Sequence, residues 1–127
     1  MPYLLDTHTL IWVLDEPEKL SSTASFIITK SHEQCYISIA SLWEMAIKFN
    51  LKKLDLKIRF DDIQSKLVEY GIQILNIHYY HLQQYIQLPL LHKDPFDRIL
   101  IAQSLSMNIT IVARDRIIEL YDVPTIW

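Results

Sequence analysis

Short apolar runs alternate along this chain with longer stretches in which apolar residues recur every three or four positions. Tyr3 to Leu5, Cys35 to Ile39, Ile72 to Ile77 and Ile109 to Ala113 read as four strands. Thr7 to Leu14 predicts a helix packed by Leu10, Ile11 and Leu14 and stopped by Pro17, and a second helix follows Ser21 or Ser22. A third, capped by Ser38 or Ser41, carries Trp43, Ala46, Ile47 and Leu51. Apolar and charged residues alternate from Leu54 to Phe60, as in an extended segment. Asp61 or Asp62 then opens a helix through Ile63, Leu67 and Tyr70, which Gly71 ends. His78 to Ile86 predicts another helix, ended by Pro89. Asp94-Pro95-Phe96-Asp97 is a helix start, with Asp94 as N-cap, Pro95 at the first helical position and Asp97 at the third. A short helix from about Asp115 to Leu120 and a small edge strand within Pro124 to Trp127 close the chain. Strands alternating with helices predict a three-layer α/β/α sandwich with a mostly parallel central sheet.

Composition narrows this picture. The length of 127 residues fits a single domain spanning 1–127, and half of the residues are hydrophobic, enough for a core without staples. The sole cysteine, Cys35, excludes an internal disulfide and a multi-cysteine zinc site, and its apolar setting predicts a buried thiol. The sole glycine, Gly71, excludes a phosphate-binding loop and a dinucleotide fingerprint, which need several glycines. No basic leader precedes the first apolar run and no run approaches a membrane span, so a reduced, cytoplasmic setting without membrane contact is expected.

The net charge is −3, yet Lys48, Lys52, Lys53, Lys57 and Arg59 cluster, and Arg98, Arg114 and Arg116 flank acidic residues. Basic patches beside an acidic site suit a polyanionic substrate, although the lysine stretch alone reads first as a solvated face.

The candidate chemistry lies in four acids, Asp6, Glu44, Asp97 and Asp115, placed where apolar runs end or helices begin. Ligand sites of open α/β sheets lie beyond the carboxyl ends of the strands. Carboxylates gathered there repel one another by roughly 4 kcal/mol per pair at about 4 Å and an effective dielectric near 20. A shared Mg²⁺ or Mn²⁺ removes that cost and directs the chemistry to phosphate. Each acid also has a structural alternative. Asp6 and Asp115 suit helix caps, and Asp97 complements a helix dipole. Ser41-Leu42-Trp43-Glu44 fits a capping box, and Glu44 with Lys48 fits an i,i+4 ion pair. The shared placement of the four favours the site. His78 and His81 share a helix face without an evident third ligand, and His8 suits a hydrogen-bonded structural role.

The motifs around these acids resemble those of PIN-domain ribonucleases, most of all the VapC-like toxins of prokaryotic toxin-antitoxin pairs. Leu4-Leu5-Asp6-Thr7-His8 with Ile11-Trp12 resembles the family's opening, and Ser38 to Lys48 its second motif. His92-Lys93-Asp94-Pro95-Phe96-Asp97-Arg98-Ile99-Leu100-Ile101-Ala102-Gln103 resembles the third, and Val112-Ala113-Arg114-Asp115 the fourth. The resemblance runs nearly end to end. It implies a PIN-like fold and a Mg²⁺- or Mn²⁺-dependent endoribonuclease that cleaves RNA with metal-activated water. By it, Asp6 and Asp97 are principal metal ligands. Glu44 binds metal directly or through water, or orients the nucleophile, and Asp115 completes the shell. Thr7, Asp94, Arg98 and Arg114 are implied as supporting or substrate-contacting residues, with Asp94 first of all an N-cap. The family pattern often has Thr or Ser two positions before the fourth acid, where this chain has Ala113. A homodimer and a cognate antitoxin partner are also implied.

Two rival readings use the same residues. A phosphoacceptor signalling domain needs an acceptor Asp after the third strand, where this chain has Asn76. A non-catalytic interaction module of the same fold needs none of the acids.

Overall fold

The computed structural model describes residues 1–127. Strands β1 (Tyr3–Leu5), β2 (Cys35–Ser38), β3 (Ile72–Leu75), β4 (Thr110–Val112) and β5 (Thr125–Ile126) form one sheet in the order β3-β2-β1-β4-β5. Every neighbouring pair is parallel, so the sheet expected to be mostly parallel is entirely so. Six helices accompany it: α1 (Thr7–Asp15), α2 (Ser22–Thr29), α3 (Ile39–Asn50), α4 (Phe60–Tyr70), α5 (Tyr79–Gln87) and α6 (Pro95–Met107).

Successive strand residues point to opposite faces of a sheet, and the core divides accordingly. Leu4 and Ile111 pack with Leu75, Leu100 and Ile101, on the face covered by α5 and α6. Their neighbours Leu5 and Val112 pack with Leu10, Ile28, Met45 and Leu67 of α1 to α4. Covering on both faces explains why these strands read as continuous apolar runs. The three-layer α/β/α architecture stands as the sequence predicts. No helix is long and apolar enough to cross a membrane.

The departures are local. Leu54 to Ile58 is irregular rather than a strand, because Leu54, Leu56 and Ile58 dock singly on the α1–α4 side of the core. Helix α4 starts at Phe60, ahead of both acidic candidates, and Arg59 supplies no side-chain cap. Ser38, not Ser41, caps α3, accepting from Ala40 N at 3.1 Å. After β4 comes a single 3₁₀ turn, Ile118–Tyr121, in place of the longer helix. Cys35 is buried as expected, and burial with Glu33 nearby pushes its thiol up to about 11.

Gly71 ends α4 at φ +69°. Only glycine adopts that conformation without a Cβ penalty. An added methyl would meet no neighbour within 4 Å, so strain alone decides the outcome. Gly71→Ala is expected to lower stability by about 1 kcal/mol, read as a drop in the urea midpoint with an unchanged slope.

Candidate active site

The direction of strand progression reverses at β1, which has β2 and β3 on one side and β4 and β5 on the other. A crevice opens at such a point beyond the carboxyl ends of the strands. Asp6 directly follows β1. It is buried, caps α1 by accepting from Thr9 N at 2.9 Å, and donates its own N–H to Val112 O of β4. Burial pushes the Asp6 carboxyl above its ordinary value; the Thr9 hydrogen bonds and the nearby His8 oppose this, and Asp115 adds to it.

Asp97 occupies the first turn of α6, as the sequence predicts. Asp94 is the N-cap, accepting from Phe96 N at 2.9 Å and Asp97 N at 3.4 Å. Burial raises the Asp97 carboxyl to about 6, with the Asp94 charge adding, His92 opposing and Asp6 adding again. His92 Nε2 lies 3.4 Å from Asp97 Oδ2. Asp6 thus feels the charge of Asp115, and Asp97 that of Asp6, which makes these three acids the centre of the candidate site.

Glu44 comes from α3, where it sits in the second turn and pairs with Lys48 at 3.2 Å. The capping box that Ser41 and Glu44 suggest does not form. Ser41 instead accepts from the buried Thr7 hydroxyl at 2.9 Å, which ties α3 to the first turn of α1. Trp43 meets Phe96 edge-on at 5.4 Å, which brings α3 to the start of α6. Glu44 therefore rides on the helix that bridges the Asp6 and Asp97 elements, with Lys48 holding its side chain.

Asp115 is exposed on the loop after β4 and accepts from Ile117 N at 3.0 Å. With Asp6, His8, Trp12, Arg114 and Arg116 it lines a cleft of about 400 Å³. Arg114 extends over the Trp12 ring at 6.0 Å, and Trp12 packs on Trp127 at 5.5 Å. His8 is exposed beside Trp12 and makes no side-chain hydrogen bond, contrary to the expected structural role. His78 and His81 form a helix cap. His78 N donates to His81 Nδ1 at 2.9 Å, and the His81 ring is buried.

Arg98 follows Asp97 in sequence but turns away from the cleft. It is buried, donates to Pro89 O at 2.8 Å and to the Tyr121 hydroxyl at 3.1 Å, and lies over the Tyr85 ring at 4.9 Å. Its charge is thus committed inside the protein, while Arg114 and Arg116 are the exposed cations at this edge. His92 and Tyr121 carry no assignment from sequence. Both had a signal, because His92 stands in the third motif and Tyr121 opens the closing segment Tyr121 to Trp127, which the resemblance also covers.

The donors present suit a hard cation. Asp6, Asp97 and Asp115 have no Lys or Arg ion pair, and two of them are pushed up by burial and by one another. No three Asp, Glu, His or Cys side chains close tightly enough to hold an ion unaided. Mg²⁺ is commonly held by one or two carboxylates and retains several waters, which agrees with that open arrangement.

The raised Asp97 carboxyl also has a consequence for stability. Its folded value of about 6 exceeds the ordinary 3.8, so the folded chain holds that proton more tightly than the unfolded chain. The favourable contribution is complete below 3.8 and is lost as pH rises to about 6. Asp97→Asn removes the resulting penalty at pH 7, and without metal it is expected to stabilise the fold by about 1–3 kcal/mol. The gain should shrink towards pH 4, and a cation held by Asp97, with Mn²⁺ as the probe, should stabilise the wild type more than the variant. Thermal unfolding at both pH values, with and without Mn²⁺, reads all three effects. A variant less stable than wild type at pH 7 without metal would refute the assignment.

The family profile of the PIN domain matches residues 3–124. The fold is similar to that of a chain in VapBC2 from Rickettsia felis bound to a DNA fragment from their promoter. TM-score is 0.73 at 16% identity, covering 99% of this chain and 98% of that one. FitAcB from Neisseria gonorrhoeae gives 0.70 at 16%, covering 98% and 96%. A toxin-antitoxin complex from Klebsiella pneumoniae gives 0.59 at 17%, covering 90% and 87%. No curated protein matches the sequence significantly.

Proposed function

This chain belongs to the PIN-domain family, and we propose that it is a metal-dependent endoribonuclease and the toxin of a toxin-antitoxin pair. One observation carries the reading: Asp6, Asp97 and Asp115 influence one another at the strand-order reversal without a Lys or Arg ion pair to any of them. Asp6 and Asp97 are the principal ligands of Mg²⁺ or Mn²⁺. Asp115 completes the shell from the exposed side, and Glu44 contributes through α3. When bound, the cation lowers the pKa of a water and offsets charge on the scissile phosphate.

The protein's own part is placement. The α1 cap fixes Asp6, the Asp94 cap fixes the first turn of α6, and α3 is held to α1 by the Thr7–Ser41 bond and to α6 by the Trp43–Phe96 contact. Arg114 and Arg116 bind phosphates of the RNA where the strand crosses the cleft. Residues 1–127 act as one PIN-like domain in the cytoplasm. Trp43, Tyr79, Leu82, Ile86 and Leu90 are exposed apolar side chains, which supports protein partners: a second copy of this chain and a cognate antitoxin. Likeness to structures named as toxin-antitoxin assemblies supports the same partner.

The test is cleavage of pooled cellular RNA by the purified chain in Mg²⁺, with chelator as control and all ends mapped. Water attack leaves 5′-phosphate and 3′-hydroxyl ends, whereas attack by the RNA's own 2′-hydroxyl leaves cyclic phosphates. We expect 5′-phosphate ends that vanish with chelator. Unchanged cleavage in chelator, or cyclic phosphate ends, would refute the mechanism. No Mn²⁺ binding at millimolar metal would favour the non-catalytic interaction module, for which Ala113 in the fourth motif is the one feature in hand.

A further inference from the structure

Asp97 is one end of a hydrogen-bonded chain that runs from its part-exposed carboxyl into the protein. Beyond His92 Nε2, the other ring nitrogen, Nδ1, lies 2.6 Å from the Tyr121 hydroxyl. That hydroxyl receives the His92 backbone N–H at 3.1 Å and Arg98 Nη1 at 3.1 Å. Tyr121 and Arg98 are both buried, and the His92 side chain is only 16% exposed.

Counting protons sets the direction of the chain. A phenol oxygen has one proton and two acceptor positions. A backbone N–H and a guanidinium N–H only donate, so together they fill both acceptor positions of Tyr121. Its own proton must point elsewhere. His92 Nδ1 at 2.6 Å is the near acceptor, and the His92 carbonyl at 3.5 Å is the distant one. Nδ1 therefore accepts, and neutral His92 carries its proton on Nε2, towards the Asp97 carboxylate. Arg98 cannot reverse this order, because it has no acceptor and stays charged.

We propose that His92 is a positioning residue: Tyr121 and Arg98 hold it in the Nε2–H tautomer, and it orients the Asp97 carboxylate by donating to Oδ2. The inference rests on Asp97 being a metal ligand, as proposed above. A ligating carboxylate that is itself hydrogen-bonded loses less freedom when it binds, and removing such support typically costs 10–100-fold in metal affinity. The arrangement also joins three segments, because His92 precedes α6, Arg98 lies in it, and Tyr121 ends the 3₁₀ turn after Asp115.

Two measurements on the full chain test this. Long-range ¹H–¹⁵N spectra of histidine-labelled protein read the His92 tautomer without metal. We expect Nε2–H in the wild type and loss of that preference in the near-isosteric Tyr121→Phe. Calorimetric Mn²⁺ titration reads the effect on the ligand. His92→Leu is expected to weaken binding about 10–100-fold, while His92→Gln, which retains an N–H donor, recovers most of the loss. Cleavage by His92→Leu should then return as Mn²⁺ is raised. An Nδ1–H tautomer in the wild type overturns the proposal, as does wild-type Mn²⁺ affinity in folded His92→Leu. A wild-type chain that binds no Mn²⁺ and cleaves no RNA overturns the proposed function and this inference with it, a result distinct from the selective failure of variants in an active enzyme.

Discussion

Asp6→Asn is expected to lower RNA cleavage by about a thousandfold or more and to leave the chain folded. Charge stabilisation by a bound cation is worth several kcal/mol, and each 1.4 kcal/mol, roughly, is tenfold in rate. The structure separates the two consequences. Asn caps helices as well as Asp does, so the amide oxygen still accepts from Thr9 N. The bond from the residue 6 N–H to Val112 O belongs to the backbone and is untouched. The lost group is a buried carboxylate whose charge the fold does not neutralise. Initial rates at saturating Mg²⁺, beside circular dichroism of the same samples, test the claim. A folded variant that cleaves within tenfold of wild type would end the metal-ligand assignment. Asp97→Asn should match Asp6→Asn. Glu44→Gln and Asp115→Asn should lose less, since Lys48 already neutralises Glu44 and Asp115 is exposed and held by Ile117 N.

The sheet was legible because burial on both faces writes itself as apolar runs. Leu4-Leu5 and Ile111-Val112 feed opposite cores, so neither run alternates, and only a covered parallel sheet asks for that pattern. Caps were legible where the side chain does the capping, as at Asp94 and Ser21. They were illegible where it does not: Arg59 precedes α4 without a side-chain bond, so the acids behind it drew the boundary too late. Ser41 fitted a local capping pattern but serves the distant Thr7, and no local pattern contains a contact 34 residues away. Leu54 to Phe60 alternated like a strand, yet no neighbouring strand pairs with it.

The site divides along similar lines. Asp6 and Asp97 sit where their own local sequence places them, one after a strand and one in a capped first turn. Their partners depend on tertiary contacts. Helix α5 intervenes between β3 and α6, so Asp97 does not follow a strand as Asp6 does, and its approach to Asp6 comes from the packing of α6. Side-chain direction was the least legible quantity. Asp97 and Arg98 are adjacent, and a helix turns consecutive residues by about 100°. One stays part-exposed within the influence of Asp6 and the other enters the core, which the motif's sequence alone does not state.

That buried direction makes Arg98→Ala the substitution with the largest expected effect on stability, a loss of about 3–5 kcal/mol. Three contributions point the same way. Pro89 O and the Tyr121 hydroxyl lose a charged donor. The Tyr85 and Tyr121 rings lose the cation over their faces, at 4.9 and 5.9 Å. The aliphatic stem leaves a cavity between α5, α6 and the 3₁₀ turn. A domain of this kind has only about 5–15 kcal/mol in total, so the variant should unfold at a far lower urea concentration. Arg98→Met restores the volume but not the donors, and it should recover about half of the loss. Arg98→Lys should recover little, because an ammonium does not reproduce the planar guanidinium stacked on the rings. The same series distinguishes the sequence-based alternative, in which Arg98 holds substrate phosphate. A phosphate contact predicts near wild-type urea midpoints in all three variants and an RNA affinity that falls with a reduced salt slope. A buried anchor predicts shifted midpoints and, in whatever fraction remains folded, an unchanged salt slope.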